Sequence, residues 1–589
     1  MVRTLIGTEI EFGISSPQQP DLSPIITSTH AVLGYAPYGT PWDYAGESPL
    51  RDSRGFDLRR YHTAPIVDPQ AVGMANLVLT NGARLYVDHA HPEYSSPETT
   101  NAYMATLYEL AGSQIMHQAT LEVARLTEAG ESAVQGQKPC PPLNIYKNNV
   151  DGKGASYGAH ENYLYPRSLA FDLLAKALIP FFVARQVVVG AGRVGIGQAS
   201  EEAGFQISQR ADYIEQQISL ETTLNRGIIN TRDEPHMDAS TWGRLHVIVG
   251  DANMSQTSIF LKLGMTDLVI RALIAKGEKS PLLNLELVDP VSAIHLFSHD
   301  LTLTHTVATT DGRELTALDI LDIYRAEVGV YLGNPSLAGY GYGEPENCFI
   351  KGTTNPYAAS QEDVDRSLLA LWDEAIQCLR ADIRSARHLL DWVAKLCLME
   401  GYVAKGKSWD SATIALVDLQ YADINPARSL YTALVTRGRM RELTTPREEF
   451  IHTPPRDTRA WLRGSAVQYL RPYVRAVNWD RITLGVPDGM GVVSPEDAIT
   501  ILMNTPESCT FNVDAVNALT EIQQLAIDQN ALFARAKAIT DVNYSHAYEN
   551  GPAGNSEFPA DLLRSRSELS QEEYGRIALL FQKLKEEHS

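Results

Sequence analysis

The chain has 589 residues, with 50 Lys plus Arg against 71 Asp plus Glu and a formal net charge of -21. Gripping a phosphate backbone takes a basic face, so nucleic acid is excluded as the main partner. Hydrophobic residues at 44% and charged residues at 21% are ordinary for a globular chain with a large core and exclude a disordered one.

At roughly 100 to 200 residues per domain, the length suits three or four domains, or one large catalytic domain with an appendage. The N-terminal MVRTLIGTEIEFGIS carries two glutamates and lacks the apolar run of a signal peptide. Within it, 5–15 reads as a strand with Ile6, Ile10 and Phe12 on one face. From 36 to 70 the composition shifts to five prolines, many charges and no sustained period. That is the mark of a long surface loop, and such loops are usually functional or mobile. Residues 76–91 read as a hairpin turning at Asn81-Gly82. Ser96-Pro97-Glu98-Thr99-Thr100 predicts a helix start, and Met104, Leu107, Tyr108, Ala111 and Ile115 keep helical spacing after it. The most apolar stretch, 177–189, contains Pro180, Arg185 and Gln186 and falls short of a membrane span. Strand-like, turn-rich and helical segments alternate to about 440, which predicts an α+β class. Pro446 and Pro454-Pro455 then mark a boundary to a smaller unit. The tail carries two amphipathic helices, one over 521–539 and one opening with a capping box from Ser570 to Glu573. Cys140, Cys348, Cys378, Cys397 and Cys509 are scattered without CxxC spacing, which argues against a disulfide framework or thiolate zinc site. A reducing, cytoplasmic setting is expected.

Four clusters carry residues suited to chemistry. Glu9 and Glu11, two apart in a strand, share a face. Side-by-side carboxylates repel, and a hard cation such as Mg²⁺ between them offsets the cost of burial; an exposed strand with solvated glutamates gives the same spacing. In RLYVDHAHPE, period 2 puts Arg84, Tyr86 and Asp88 on one face and Leu85, Val87 and His89 on the other. A half-exposed strand explains that alternation equally well, but Asp88, His89, His91 and Glu93 are crowded metal-ligand and acid/base types. In YKNNVDGKGASYGAHENY a glycine-rich loop feeds a strand in which His160 and Asn162 point the same way, and GxxxxGK[ST] spacing is absent. RGIINTRDEPH and RLHVIVGDAN supply arginines suited to phosphate groups, or to simple pairing of Arg232 with Asp233 or Glu234.

Taken in order, GTEIEFGIS, NGARLYVDHAHPEYSSPE, YKNNVDGKGASYGAHENYL, RGIINTRDEPH and LHVIVGDANMS resemble the Pup ligase and depupylase family, whose catalytic domain is related to glutamine synthetase and the carboxylate-amine ligases. The resemblance runs from the N-terminus to about Trp479. It implies an α+β, glutamine synthetase-like catalytic domain over 1–442, a curved antiparallel sheet with helices and a mobile insertion at 37–70. A small C-terminal domain over 443–488 and an unmatched helical appendage over 489–589 follow. The long loop around WDYAGESPLRDSRGFD, and His89 directly after Asp88, resemble the depupylase/deamidase branch.

Position by position, the resemblance implies Glu9, Tyr86, Glu93 and His160 at or near Mg²⁺ sites, with Glu11 and His246 in the same shell. It places Arg84, Ser96 and Trp479 on ATP and makes Asp88 the catalytic carboxylate; Asn162 and Arg232 are added as further nucleotide contacts. The activity implied is hydrolysis of the isopeptide bond between the C-terminal glutamate side chain of Pup and a substrate lysine, and deamidation of a C-terminal glutamine on Pup. ATP (or ADP plus phosphate) and Mg²⁺ are the implied cofactors, without stoichiometric ATP consumption. Pup and pupylated proteins are the implied partners; neither nucleic acid nor membrane is expected. Asp88 acts as a nucleophile giving an anhydride or as a base activating water. His89, on the opposite face of a regular strand, is assigned to orientation or loop contacts. Three readings compete: the ligase of the same family, a zinc hydrolase built on His89, His91 and Glu93, and a non-catalytic holder of a disordered modifier. An acidic modifier needs a local basic groove, for which 437–441 and 456–475 are the candidates.

Overall fold

The computed structural model describes residues 4–44, 47, 50–55, 71–151, 153–333, 359–444, 448–469, 471, 474–484 and 499–503. The predicted tail helices, the Ser570 capping box, Cys348 and Cys509 lie outside the described residues.

Nine strands form the central sheet: β1 (Ile6–Glu11), β2 (Gly39–Pro41), β3 (Asn76–Leu79), β4 (Arg84–Asp88), β5 (His91–Ser95), β6 (Ala159–Pro166), β7 (Ile214–Ser219), β8 (Arg226–Asn230) and β9 (Trp242–Val247). Their order is β7-β8-β9-β6-β1-β5-β4-β3-β2. Every neighbouring pair is antiparallel except β7 with β8. Alternation decides the two faces. In β1, Ile6, Thr8 and Ile10 are buried on the side that carries α2 (Ala102–Glu128) and α4 (Gln256–Lys276), while Glu9 and Glu11 turn away from the helices. The apolar α3 (Phe171–Val189), with Pro180 inside it, is buried in this helical layer. No described helix is long and apolar enough to cross a membrane. A shorter helix, α1 (Pro24–Gly34), lies against the hairpin of β4 and β5.

The helix predicted from Ser96 begins only at Ala102, where the Asn101 side chain accepts a hydrogen bond from the Met104 N–H. Residues 96–99 instead follow β1: Ser96 N donates to Thr8 O at 2.7 Å and Thr99 exchanges backbone hydrogen bonds with Ile6. Part of the predicted surface loop is also structured. Gly39–Pro41 is the edge strand, and Asp52 accepts from Thr231 Oγ1 at 2.7 Å while Ser53 N donates to Thr231 O at 2.8 Å. Residues 56–70 of that stretch lie outside the described residues.

Beyond the proline-marked boundary, helix α5 (Ala460–Tyr469) and a three-stranded sheet of Val474–Val477, Arg481–Leu484 and Ile499–Leu502 form a second, smaller core with Trp42 and Val78. The last of these strands lies past residue 488, so the smaller unit extends beyond the bound expected for it. One carboxylate fastens this unit to the main sheet. Glu98 accepts from both Arg459 and Arg463, two arginines buried on α5 or at its start. Burial pushes the Glu98 carboxyl up, but the two guanidinium groups outweigh it and bring it down to about 2 from an ordinary 4.5. A depressed folded-state value means that this stabilisation is complete above about pH 4.5 and is lost as the pH falls toward about 2. The Trp479 ring lies 4.7 Å from the Arg463 guanidinium. Its fluorescence is therefore expected to change across that acid window, and Glu98→Gln is expected to show the changed spectrum already at pH 7.

Candidate functional site

Strand pairing sets side chains of one sheet face in rows. Tyr86 sits opposite Glu93, which sits opposite Glu11. Arg84 pairs with Ser95, Ser95 with Glu9, and Glu9 with His160. Asn162 pairs with His246, and His246 with Asn230. Gly158 makes the approach of Glu11 and His160 feasible, since a Cβ there would stand 2.4 Å from His160 Nε2 and 2.7 Å from Glu11 Oε1. Its N–H donates to Glu11 Oε1 at 2.8 Å.

Two clusters result, Glu9 with His160 and His246, and Glu11 with Asp88 and Glu93; in each, the candidate ligand atoms lie within 4.8 Å of one another. Glu9 Oε2 is 3.3 Å from His160 Nδ1 and 3.6 Å from His246 Nε2, while its Oε1 accepts from Arg244 Nη2 at 2.8 Å and Asn162 Nδ2 at 3.0 Å. Burial pushes the Glu9 carboxyl up, but Arg244 and the two histidines outweigh it and hold it well below the usual range. Burial, then Arg244, push His246 well below its ordinary value. It is a neutral imidazole, the form that ligates metals, and its Nε2 is buried without a hydrogen-bond partner. In the second cluster, burial and repulsion from Asp88, Glu11 and Glu9 push the Glu93 carboxyl well above its usual range. Three carboxylates converge there. The donor sets of both clusters, Glu9 with His160 and His246 and Glu11 with Asp88 and Glu93, fit divalent cations, and Tyr86 stands opposite Glu93 in the strand pairing.

Beside these clusters opens a cavity of about 330 Å³, lined by Arg84, Arg232, Arg244, Arg459, Asn162, Ser96 and Trp479. Arg84 is held between the rings of Trp42 and Tyr86, 4.0 and 4.2 Å from their centroids, with its Nε on Asn76 Oδ1 at 3.0 Å. The Trp479 ring meets Trp42 edge-on at 5.3 Å. Arg232 Nη2 pairs with Glu234 Oε2 at 3.9 Å, the local pairing open to it in the sequence, and both residues line the cavity. Ser96 lines the cavity, but its Oγ accepts from Thr8 N at 2.9 Å. Asp88 opens into the same space with its side chain 40% exposed. Every predicted site residue therefore lies in the cavity or in the clusters beside it.

Several expectations change. β4 ends at Asp88, and His89 enters a turn at φ 52 instead of continuing the strand. Its Nδ1 comes to 3.0 Å of Asp88 Oδ1, so the two rows of a regular strand do not separate them. The zinc triad is dispersed for the same reason: His89 is exposed, and His91 stacks on Tyr157 at 4.2 Å and points at Glu11. The basic groove is mostly engaged internally. Arg441 forms two hydrogen bonds with Glu374 at 2.6 and 2.8 Å, Arg459 and Arg463 hold Glu98, and Arg471 donates to the Ala36 and Pro37 carbonyls. Arg437 and Arg439 remain exposed. Arg244, offered by RLHVIVGDAN only as an arginine suited to phosphate groups, lies two before His246 on the same face of β9 and holds the Glu9 carboxylate.

A sheet-floored cavity lined by arginines, two clusters of carboxylates and histidines beside it and the accessible Asp88 carboxylate define an enzyme site. It can hold a polyanion through arginines and cations and act on a bond next to it. Comparison with known proteins narrows the class: the family model described as Pup-ligase protein matches residues 4–483, and the chain belongs to that family. The protein named Pup deamidase/depupylase from Mycolicibacterium smegmatis is 46% identical over 492 residues, covering 82% of this chain and 91% of that one. A depupylase from Acidothermus cellulolyticus is 42% identical over 493 residues, with the same coverage of 82% and 91%. A Pup–protein ligase from Xylanimonas cellulosilytica is 37% identical over 458 residues, 76% of this chain and 93% of that one. Among solved structures, the ligase PafA in complex with Pup matches at a TM-score of 0.68 and 27% identity, covering 94% of this chain and 99% of that one. The ligase PafA in complex with ADP matches at 0.62 and 29% identity, covering 82% and 99%.

Proposed function

We propose that this chain is a depupylase and Pup deamidase. It hydrolyses the isopeptide bond between the C-terminal glutamate side chain of Pup and a lysine, and the side-chain amide of a C-terminal glutamine on Pup. The observation that carries the reading is Asp88, the accessible carboxylate of a crowded acidic cluster, set at the edge of an arginine-lined cavity. Identities of 46% and 42% to proteins named for depupylation, against 37% to a ligase, favour hydrolysis over conjugation.

ATP, or ADP plus phosphate, is assigned to the cavity, where Arg84, Arg232, Ser96, Asn162 and Trp479 face it; the ADP complex of the related ligase supports this. Mg²⁺ is assigned to Glu9, Glu11, Tyr86, Glu93, His160 and His246. When bound, it supplies positive charge that binds phosphate oxygens and polarises a nearby carbonyl. The chain's own contribution is positional. Arg244 and Asn162 fix the Glu9 carboxylate, Gly158 fixes Glu11, and Trp42 and Tyr86 fix Arg84. Asp88 then either attacks the amide carbon, giving an anhydride that water opens, or takes a proton from the water that attacks. The catalytic domain is assigned to 1–442 with 37–70 as its insertion, the smaller domain starts at 443, and the remainder is an appendage. A cytoplasmic setting suits the free Cys140, Cys378 and Cys397.

Incubation with a pupylated substrate, nucleotide and Mg²⁺ is expected to release free Pup. Chelation should stop cleavage and added Mg²⁺ restore it. Conjugation of free Pup to substrate with ATP hydrolysis and no cleavage would assign the ligase activity instead. Activity restored by zinc without nucleotide would remove the nucleotide-dependent reading.

A further inference from the structure

We propose that Arg226, with Arg210 beside it, binds the free α-carboxylate of the C-terminal residue of Pup, a role that rests on the depupylase reading. Asn230 of β8 meets His246 in the strand pairing, so alternation along β8 puts Ile228 and Arg226 on the sheet face that carries the two clusters. The step from Asn230 to Arg226 runs in the direction from Asn162 to Ala159 on β6 and from Gly7 to Ile10 on β1, which is toward Glu11. Three consecutive residues complete the link. Arg226 Nη2 donates to Ser156 O at 3.1 Å, Arg210 Nη1 to Tyr157 O at 2.5 Å, and the next N–H, that of Gly158, donates to Glu11 Oε1 at 2.8 Å. Neither arginine lines the nucleotide cavity.

Both guanidinium groups are hydrogen-bonded to neutral oxygens alone. Arg226, 8% exposed, also gives Nε to Thr222 O at 2.8 Å; Arg210, 1% exposed, gives Nε to Ile248 O at 3.0 Å and Nη1 to Ser156 Oγ at 3.1 Å. No carboxylate among the described residues pairs with either, and Arg226 Nη1 and Arg210 Nη2 donate to none of the described residues. Other buried arginines of this chain do hold a carboxylate: Arg185 has Glu161, Arg271 has Asp365 and Arg463 has Glu98. Burial, then repulsion from Arg226, bring the Arg210 guanidinium down to about 10. Two like charges buried side by side are costly, and an anionic ligand offsets that cost. A carboxylate fits, because the planar fork of a guanidinium takes it in two hydrogen bonds. The substrate brings one. A C-terminal glutamate or glutamine carries a free α-carboxylate four carbon–carbon bonds, about 5 Å, from its side-chain amide carbon. Anchored on Arg226, the residue lays that side chain toward the cluster of Glu11, Asp88 and Glu93. A residue inside a chain has no α-carboxylate to offer, so the site selects the chain end.

The probes are a Pup–peptide isopeptide conjugate and the same conjugate with its α-carboxylate replaced by a primary carboxamide. Wild type is expected to cleave the carboxamide with a kcat/KM about 100-fold lower. Arg226→Gln should lose about 100-fold on the carboxylate and little on the carboxamide, so that the preference collapses while ATP affinity is unchanged. Arg226→Lys keeps the charge without the fork and should retain part of the preference. A variant that only loosens the fold slows both conjugates alike, so the full preference retained in both variants would overturn the proposal. Equal cleavage of the two conjugates by wild type would overturn it as well. Weaker ATP binding by Arg226→Gln with the preference kept would place phosphate at this site instead and overturn it too. Absence of cleavage of either conjugate by wild type would remove the depupylase reading beneath it.

Discussion

Asp88→Asn is expected to lower cleavage of a Pup conjugate by about 10³-fold while nucleotide binding is retained. The substitution is nearly isosteric, and Asn keeps an oxygen for the His89 contact now at 3.0 Å. It also removes one of three converging negative charges. Burial and repulsion, from Asp88 before Glu11 and Glu9, push the Glu93 carboxyl upward, so the fold is relieved rather than harmed when Asp88 becomes neutral. A thermal midpoint at or above that of the wild type, with ATP affinity intact, therefore separates a chemical loss from a structural one. Full activity in the variant would favour a chain that holds the modifier without acting on it. In a single turnover of the wild type in ¹⁸O-water, label in the Asp88 carboxylate marks attack by Asp88 followed by opening of the anhydride at the Asp88 carbonyl.

The strand period disclosed the active face in pieces. Glu9 with Glu11, Arg84 with Tyr86 and Asp88, and His160 with Asn162 each follow from side chains that alternate along one strand. What joins the pieces is register, and register has no local signature. The Arg244 guanidinium meets Glu9 across 235 residues of sequence because β6 lies between β9 and β1. His89 was misplaced because period 2 presumes that the strand continues, whereas a two-residue turn ends it at Asp88. The arginines of 456–475 read as a solvated docking face because charge alone does not reveal a buried partner. Glu98 supplies that partner to Arg459 and Arg463 more than 350 residues away in the chain. The tight edge strand at Gly39–Pro41 escaped notice for a related reason: three residues are too few to establish a period.

The largest loss of stability is expected from Glu161→Ala, on the strand that carries His160 and Asn162. Alternation sends Glu161 to the opposite face of β6, where it is fully buried. Its carboxylate accepts from Arg185 of α3 at 2.5 and 2.8 Å and from the Tyr163 hydroxyl at 2.7 Å. Arg185 in turn donates to Lys262 O of α4 at 3.2 Å, so one ion pair joins the sheet to two helices. Burial would lower the guanidinium pKa, but Glu161 outweighs burial and holds it above its ordinary value. Removing the acid strands that cation in the core, at a cost of about 3–5 kcal/mol, which urea unfolding reads as a lowered midpoint. The paired change Glu161→Leu with Arg185→Met removes both charges and is expected to recover most of the loss, since a buried pair is often matched by apolar residues of similar volume. Activity provides the second reading. If the pair also keeps β6 in place, Glu161→Ala weakens the contacts of His160 and Asn162 with Glu9, and cleavage falls with stability. A midpoint unchanged in Glu161→Ala would show that α3 and α4 hold β6 by apolar packing alone.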